Sequence, residues 1–291
     1  MPGRRWSAPA EPQEVDVVVQ VATVSLNDGT TIPQLGIGVF QMTEAEAEAA
    51  VLCAHDAGYT LVDTAAGYRN EAAVGRAVAQ RGREAFYVTT KLANDDHGYD
   101  SALSAFDASM GQLGFEHLDL YLIHWPAPER EAYVETWRAL ARLREEGRVT
   151  SVGVSNFEPH HLRRLVEETG VVPVVNQIEL HPFLQQRELR ALHSELGIVT
   201  ESWSPLGSGK GDLLAHPVLV RIAREHGVTP AQVVLAWHLA IGAVVIPKSV
   251  TPARIVENIA STGVVLTAED LDAIAAVEDG TRFGPHPDHF S

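Results

Sequence analysis

Short apolar runs rich in β-branched residues alternate along the chain with helix-length segments. LGIGVF (35–40) precedes EAEAEAAVLCAHDAG (44–58), YTLVDT (59–64) precedes NEAAVGRAVAQRG (70–82), and FYVTTKL (86–92) precedes SALSAFDASMGQLG (101–114). The pattern continues with LDLYLIH (118–124) and REAYVETWRALARLREEG (130–147), then VTSVGVS (149–155) and PHHLRRLVEETG (159–170). VPVVNQIE (172–179) and QQRELRALHSELG (185–197), GIVTESW (197–203) and TPAQVVLAWHLA (229–240), and AVVIPKS (243–249) and TPARIVENIA (251–260) complete it. Strand and helix thus alternate eight times. The strands lack strict apolar–polar alternation, as strands buried on both faces do.

Several of the helices run into a glycine, at Gly58, Gly82, Gly114, Gly147, Gly170 and Gly197, the residue that a left-handed C-cap favours. Eight such units in about 250 residues predict an α/β fold, a closed (β/α)8 TIM barrel rather than an open doubly wound sheet. VATVSLNDGTTIPQL (21–35) predicts a hairpin turning at Asn27-Asp28-Gly29 and closing the bottom of the barrel. PVLVRIAREHG (217–227) and TAEDLDAIAAVED (267–279) predict two extra helices outside the repeat. Residues 1–22 are expected to form a flexible tail, and 23–291 a single barrel domain.

Composition narrows the function. Hydrophobic residues make up 45% of the chain and charged ones 21%, and no apolar run approaches the roughly 18 residues of a membrane span. The N-terminus carries arginines without an apolar segment after them, so no secretory signal is expected. A lone Cys53 on a predicted helix cannot form an internal disulfide and is expected to be a buried structural thiol in a reducing, cytoplasmic setting. The formal net charge of −16 argues against nucleic acid and anionic membrane surfaces as partners, leaving a small-molecule ligand and a monomeric protein as the expectation. Only three lysines, Lys91, Lys210 and Lys248, stand among 22 basic residues. In a chain that otherwise uses arginine, each lysine is a candidate for a specific task.

In such a barrel the reactive groups lie where strands end. Strand two ends in Asp63, strand three in Lys91, strand four in His124, strand five in Ser155-Asn156, strand six in Asn176-Gln177, strand seven in Trp203 and strand eight in Lys248-Ser249. A purely structural barrel gains nothing from an acid, an ammonium and an imidazole on three successive strand tips, since crowding them costs energy unless they pair. Taken singly, His124 is a core histidine and the stretch VDTAAGYRNE (62–71) an ordinary polar turn. Together they form a chemical cluster.

These segments carry a resemblance. VDTAAGYRNEAAVG, VTTKL, LDLYLIHWP, VGVSNF, VVNQIELHP and VIPKSVTPARIVEN, in this order and spacing, resemble the aldo-keto reductases from about Thr23 onward, most closely the bacterial 2,5-diketo-D-gluconate reductase branch. The resemblance implies a catalytic tetrad of Asp63, Tyr68, Lys91 and His124, with Tyr68 as general acid. A neighbouring cation favours phenolate, so Lys91 is expected to lower the Tyr68 pKa. Asp63 is expected to hold Lys91, and His124 to hydrogen-bond the substrate carbonyl. No metal is expected.

Hydride chemistry needs a nicotinamide. Neither LGIGVF nor GSGKGD (207–212) has the spacing of a dinucleotide fingerprint or a Walker loop. The resemblance implies NADPH/NADP+ instead, with Trp203 stacked on the nicotinamide and Ser155, Asn156 and Gln177 on its carboxamide. Ser204, Leu206 and Ser208 would lie along the pyrophosphate, Lys248, Ser249 and Arg254 on the 2′-phosphate, and Glu257 and Asn258 against adenine. Phe40, Trp125 and Phe283 are expected to form an open, aromatic pocket for small aldehydes, ketones or α-dicarbonyls such as 2,5-diketo-D-gluconate. Two other readings stand beside this one: a class I aldolase with a Schiff base on Lys91, and a non-catalytic NADPH-binding regulatory subunit.

Overall fold

The computed structural model describes residues 21–290, so all but the last two residues of the expected tail lie outside the described part. Strands β1 (Thr23–Ser25) and β2 (Thr31–Pro33) form the expected hairpin, with Val24 opposite Ile32. The Leu26 N–H donates to the Thr30 carbonyl at 2.9 Å to close the turn. The Asp28 carboxylate accepts from the Thr30 N–H at 3.0 Å and from the Ser151 hydroxyl at 2.7 Å, which ties the hairpin to the barrel. Leu26 and Ile32 then pack with Leu61, Leu120, Val175 and Val244, plugging the lower mouth as predicted.

Eight parallel strands follow in chain order: β3 (Gly36–Gly38), β4 (Leu61–Asp63), β5 (Tyr87–Leu92), β6 (Leu118–Ile123), β7 (Val149–Ser155), β8 (Val175–Glu179), β9 (Val199–Trp203) and β10 (Val244–Val245). Bridges from Leu35 to Val245 and from Gly38 to Lys248 bring the first and last strands together, so the sheet closes into the barrel that the eightfold repeat predicts. The last strand is short, and Lys248 and Ser249 follow it in a loop rather than ending it.

The helices are α1 (Glu44–Asp56), α2 (Glu71–Arg81), α3 (Tyr99–Leu113), α4 (Tyr133–Glu145), α5 (Pro159–Thr169), α6 (Arg187–Leu196), α7 (Pro217–His226), α8 (Pro230–Ala240), α9 (Pro252–Ile259) and α10 (Ala268–Ala275). Of these, α7 and α10 are the two predicted extras. Their starts follow from local chemistry: Thr43, Thr229 and Thr267 each accept the N–H of the third helical residue, whose side chain answers on the threonine N–H. Gly114 and Gly170 take the expected left-handed cap at φ +72° and +70°. Gly82 does not, because at φ 96° and ψ 134° it leads the chain out extended into the turn before β5.

Between sheet and helices lies the main apolar core, built around Trp137, Trp237, Phe106 and Tyr121. Cys53 packs against it only partly buried, and burial pushes its thiol further from ionisation. Among the described residues no helix is long and apolar enough to cross a membrane.

Candidate active site

Because all eight strands run parallel, their C-terminal ends share one face. The loops leaving those ends are conformationally demanding. All nine described non-glycine residues with positive φ lie in loops that follow strands: Gln41, Arg69, Ala127, Glu131, Asn156, Gln186, Ser204, Ser208 and Asp212. Strain of this kind persists where surrounding contacts over-determine the backbone.

Asp63 closes β4 and Lys91 lies in β5, so their side chains meet inside the barrel. Lys91 Nζ is 2.6 Å from Asp63 Oδ1 and donates to the Thr64 carbonyl at 2.9 Å. The lysine side chain is fully buried. Taking two ions out of water costs roughly several kcal/mol each before their attraction is counted, so such a pair is poorly explained as a source of stability. The chain then turns through a 3-10 segment, Ala66–Tyr68, which returns the Tyr68 hydroxyl to 3.4 Å from Lys91 Nζ. His124, one residue beyond β6, sets its ring edge-on to Tyr68 at 5.6 Å. The four residues predicted from sequence therefore converge.

Their protonation follows from surroundings. Burial works against the Lys91 charge, but the Asp63 carboxylate at 2.6 Å more than offsets this and holds Lys91 above the ordinary lysine range. An amine held protonated and committed to Asp63 and the Thr64 carbonyl is a poor nucleophile, which argues against the Schiff-base reading. Burial and the nearby Lys91 push His124 down to about 3, so its imidazole is neutral. Tyr68 departs from expectation: burial raises it, and the pull of Lys91, already neutralised by Asp63, does not reverse the shift. The phenol therefore keeps its proton at neutral pH.

Around this core a polar row runs over the strand ends. Asn156, in the left-handed region at φ +64° that asparagine tolerates, donates to the His124 carbonyl at 3.0 Å and accepts from Trp203 Nε1 at 2.8 Å. Ser155 donates to the Gln177 carbonyl at 2.8 Å. The Gln177 amide nitrogen is committed to two acids, Asp63 Oδ2 at 2.8 Å and Glu201 Oε2 at 3.1 Å. Ser204 and Ser208 bond each other at 2.7 Å, and Leu206 packs on the core beneath them.

Lys248 and Arg254 are both exposed, at the barrel's closing bridge and in the first turn of α9; neither joins an ion pair among the described residues, although Lys248 is near enough to Glu46 to favour its ionised form. Ser249 is buried beside them and accepts the Thr251 N–H at 3.1 Å. Glu257 accepts from the Thr229 hydroxyl at 2.6 Å, which fastens α9 to α8, and Asn258 is buried behind it.

The expected aromatic pocket needs one correction. Phe40 stands 5.0 Å from the Tyr68 ring and Trp125 is 6.3 Å from Trp203, but Phe283 is not with them. Its ring lies on His181 at 4.8 Å and is seated against Gly207 and Gly211, where an added Cβ would meet it at 3.1 and 2.6 Å. Gly207 and Gly211 of GSGKGD thus make room for an aromatic ring. Phe290 takes the place beside Trp125, at 4.5 Å.

Two acids escaped the sequence reading. Glu179, fully buried at the end of β8, accepts the N–H groups of Phe283 at 2.6 Å and Gly284 at 3.0 Å, clipping the C-terminal segment against Trp203. Glu201 lies in β9, fully buried. The available signal was register: Glu179 shares a strand face with Gln177, and Glu201 with Trp203, both pointing to the barrel axis. A further group, His160, His161 and Asp288, gathers near the C-terminus. His161 Nδ1 accepts the Glu158 N–H at 3.1 Å, so its proton sits on Nε2, which stands 3.6 Å from Asp288 Oδ1, too far for a hydrogen bond.

Residues 32–279 match the aldo/keto reductase family. The chain belongs to that family. An aldo-keto reductase of Mycolicibacterium smegmatis is 55% identical over 92% of this chain and 98% of its own length. The methylglyoxal reductase DkgA of Escherichia coli K12 is 47% identical over 92% of this chain and 97% of its own. Among solved structures, a variant of Gox0644 in complex with NADPH superposes with a TM-score of 0.90 at 48% identity, covering 93% of this chain and 99% of that one. The family resemblance that the sequence motifs carry is thereby established, together with the barrel common to the two chains.

Proposed function

We propose that this protein is an NADPH-dependent reductase of aldehydes and ketones in which Tyr68 delivers the proton. One observation carries the reading: a protonated phenol, 3.4 Å from a buried ammonium, faces a neutral imidazole on the mouth of the barrel. NADPH supplies the hydride that becomes the new C–H bond. As the Tyr68 O–H bond breaks, its proton passes to the substrate oxygen, and the electron pair left on the phenol oxygen faces Lys91. A fixed positive charge at that point stabilises the phenolate without reorganising. Asp63 holds the ammonium, and the neutral His124 can donate its ring N–H to the carbonyl oxygen, as an imidazolium in this site would do only at the cost of a second buried cation.

The remaining residues fit the cofactor. Trp203, pinned through Nε1 to Asn156, offers a ring for the nicotinamide to stack on. With its nitrogen committed, Gln177 has its amide oxygen available to accept from a carboxamide, beside Ser155 and Asn156. Ser204, Leu206 and Ser208 would line the way to the exposed Lys248 and Arg254, which with Ser249 suit a dianionic 2′-phosphate. Glu257 and Asn258 would border the adenine. Phe40, Trp125 and Phe290 leave an aromatic-walled opening suited to small dicarbonyls. Methylglyoxal, after which one relative is named, and 2,5-diketo-D-gluconate are the leading substrates.

NADPH oxidation with methylglyoxal, 2,5-diketo-D-gluconate and an aromatic aldehyde, run in parallel with NADH, tests the proposal. Turnover with NADPH well above NADH is expected. Bound NADPH with no turnover of any carbonyl would replace this reading with that of a non-catalytic, cofactor-binding subunit.

A further inference from the structure

Glu201 is a carboxyl without a cation of its own. Its Oε2 accepts from the Gln177 amide at 3.1 Å, the same nitrogen that serves Asp63 Oδ2 at 2.8 Å, while Oε1 is buried with no hydrogen-bond partner among the described residues. On the neighbouring strand its partner in register is Val244. The ionisable groups facing it are Asp63 from β4, Lys91 and Tyr87 from β5, and Tyr68 from the turn after β4. Only Lys91 is cationic, and that charge is already matched by Asp63 at 2.6 Å. With Glu201 protonated the cluster is neutral; with Glu201 ionised it holds an uncompensated negative charge in the barrel core.

We propose that Glu201 is a positioning residue: through the amide it shares with Asp63 it governs how much negative charge faces Lys91 and Tyr68, and so sets the alkaline limit of carbonyl reduction. The inference rests on the proposed reductase activity. When protonated, Glu201 leaves the Lys91 charge to the phenolate that forms as Tyr68 gives up its proton. Ionised, it places a second carboxylate behind the first and opposes that phenolate, so the proton is harder to give. Burial and the adjacent Asp63 push Glu201 up to about 8, at the alkaline edge of the working range. The raised value also has a stability consequence of definite sign. The stabilisation it reflects is complete below the ordinary glutamate value and is lost as pH rises through the folded one.

Two measurements test this. In the first, kcat for aldehyde reduction is followed against pH in the wild type and in Glu201→Gln, which keeps an acceptor for Gln177 but cannot ionise. The wild type is expected to fall between about pH 7 and 9, by up to about tenfold, the limit for a single group of this pKa whose ionised form is inactive. The variant is expected to lack that inflection while KM for the aldehyde changes little. Superimposable profiles would overturn the proposal, since a residue that only fills space would not move the pH dependence. In the second, infrared difference spectra of the wild type minus Glu201→Gln are titrated in the absence of substrate. A carboxylic acid carbonyl band lost around pH 8 is expected, and a carboxylate already ionised at pH 6 would overturn the proposal even if no reducible substrate were found. Failure of the reductase reading alone would leave that band in place and abolish only the kinetic arm.

Discussion

Lys91 is sealed in the barrel beneath Tyr68, Lys210 donates from Nζ to the Phe283 carbonyl at 3.2 Å, and Lys248 stands exposed at the closing bridge. Each is a compact ammonium rather than a planar guanidinium, and only Lys91 is fully enclosed. Around Lys91 the arrangement of charge is economical: one cation, one carboxylate in contact, and a second carboxyl held back behind a shared amide. Among the described residues Lys248 forms no ion pair, its nearest acidic influence being Glu46, and neither does Arg254 in the first turn of α9. If these two hold a 2′-phosphate, replacing either by alanine removes a charge-assisted hydrogen bond of about 1.5–3 kcal/mol, roughly a ten- to hundredfold loss of NADPH affinity. NADH affinity should hardly change. Fluorescence titration with both nucleotides checks this, and equal losses for the two would place the cations elsewhere.

At the scale of elements, the strand–helix alternation was legible because strands buried on both faces and helices buried on one leave different apolar patterns. Asp63, Lys91 and His124 were legible for the same reason: each is a polar residue ending an apolar strand. Glu179 and Glu201 were harder to find. They sit within strands whose outward neighbours are also polar or mixed, as in VTESW, so nothing but register marks them as inward. Phe283 was misplaced because linear sequence does not show that Gly207 and Gly211, more than 70 residues earlier, open a seat for its ring. The Tyr68 shift could not be foreseen either, since its sign depends on how deeply the turn buries the phenol and on whether Lys91 is already paired. The loops that follow the strands hold every described non-glycine residue with positive φ. The barrel supplies the rigid frame, and its strand-end loops bear the strain that aims the side chains.

For the molecule as a whole, several buried histidines make acid the vulnerable direction. His124, His193 and His238 are each pushed down to about 3, and His97 and His161 to about 4, chiefly by burial. Their folded values lie below the ordinary value of about 6.5, so the folded state binds fewer protons there than the unfolded chain. That stability is complete above about pH 6.5 and is lost as pH falls towards the folded values. Protonation also reduces the −16 charge and relieves self-repulsion, so a loss of stability on acidification would come from the buried groups and not from the net charge. The thermal midpoint, followed by circular dichroism, should decline steadily below about pH 6. A midpoint unchanged down to about pH 4 would mean that these imidazoles are hydrated or paired in a way the fold does not indicate. The central claim, that the cluster on the barrel mouth is a proton-donating site, is tested most directly by Tyr68→Phe. This change removes one oxygen and leaves the ring against Phe40 and His124. The account predicts that kcat for carbonyl reduction falls by about 10²–10⁴-fold, the usual worth of a general acid, while NADPH binds as tightly as before. A variant that reduces the same carbonyl at the wild-type rate would contradict it.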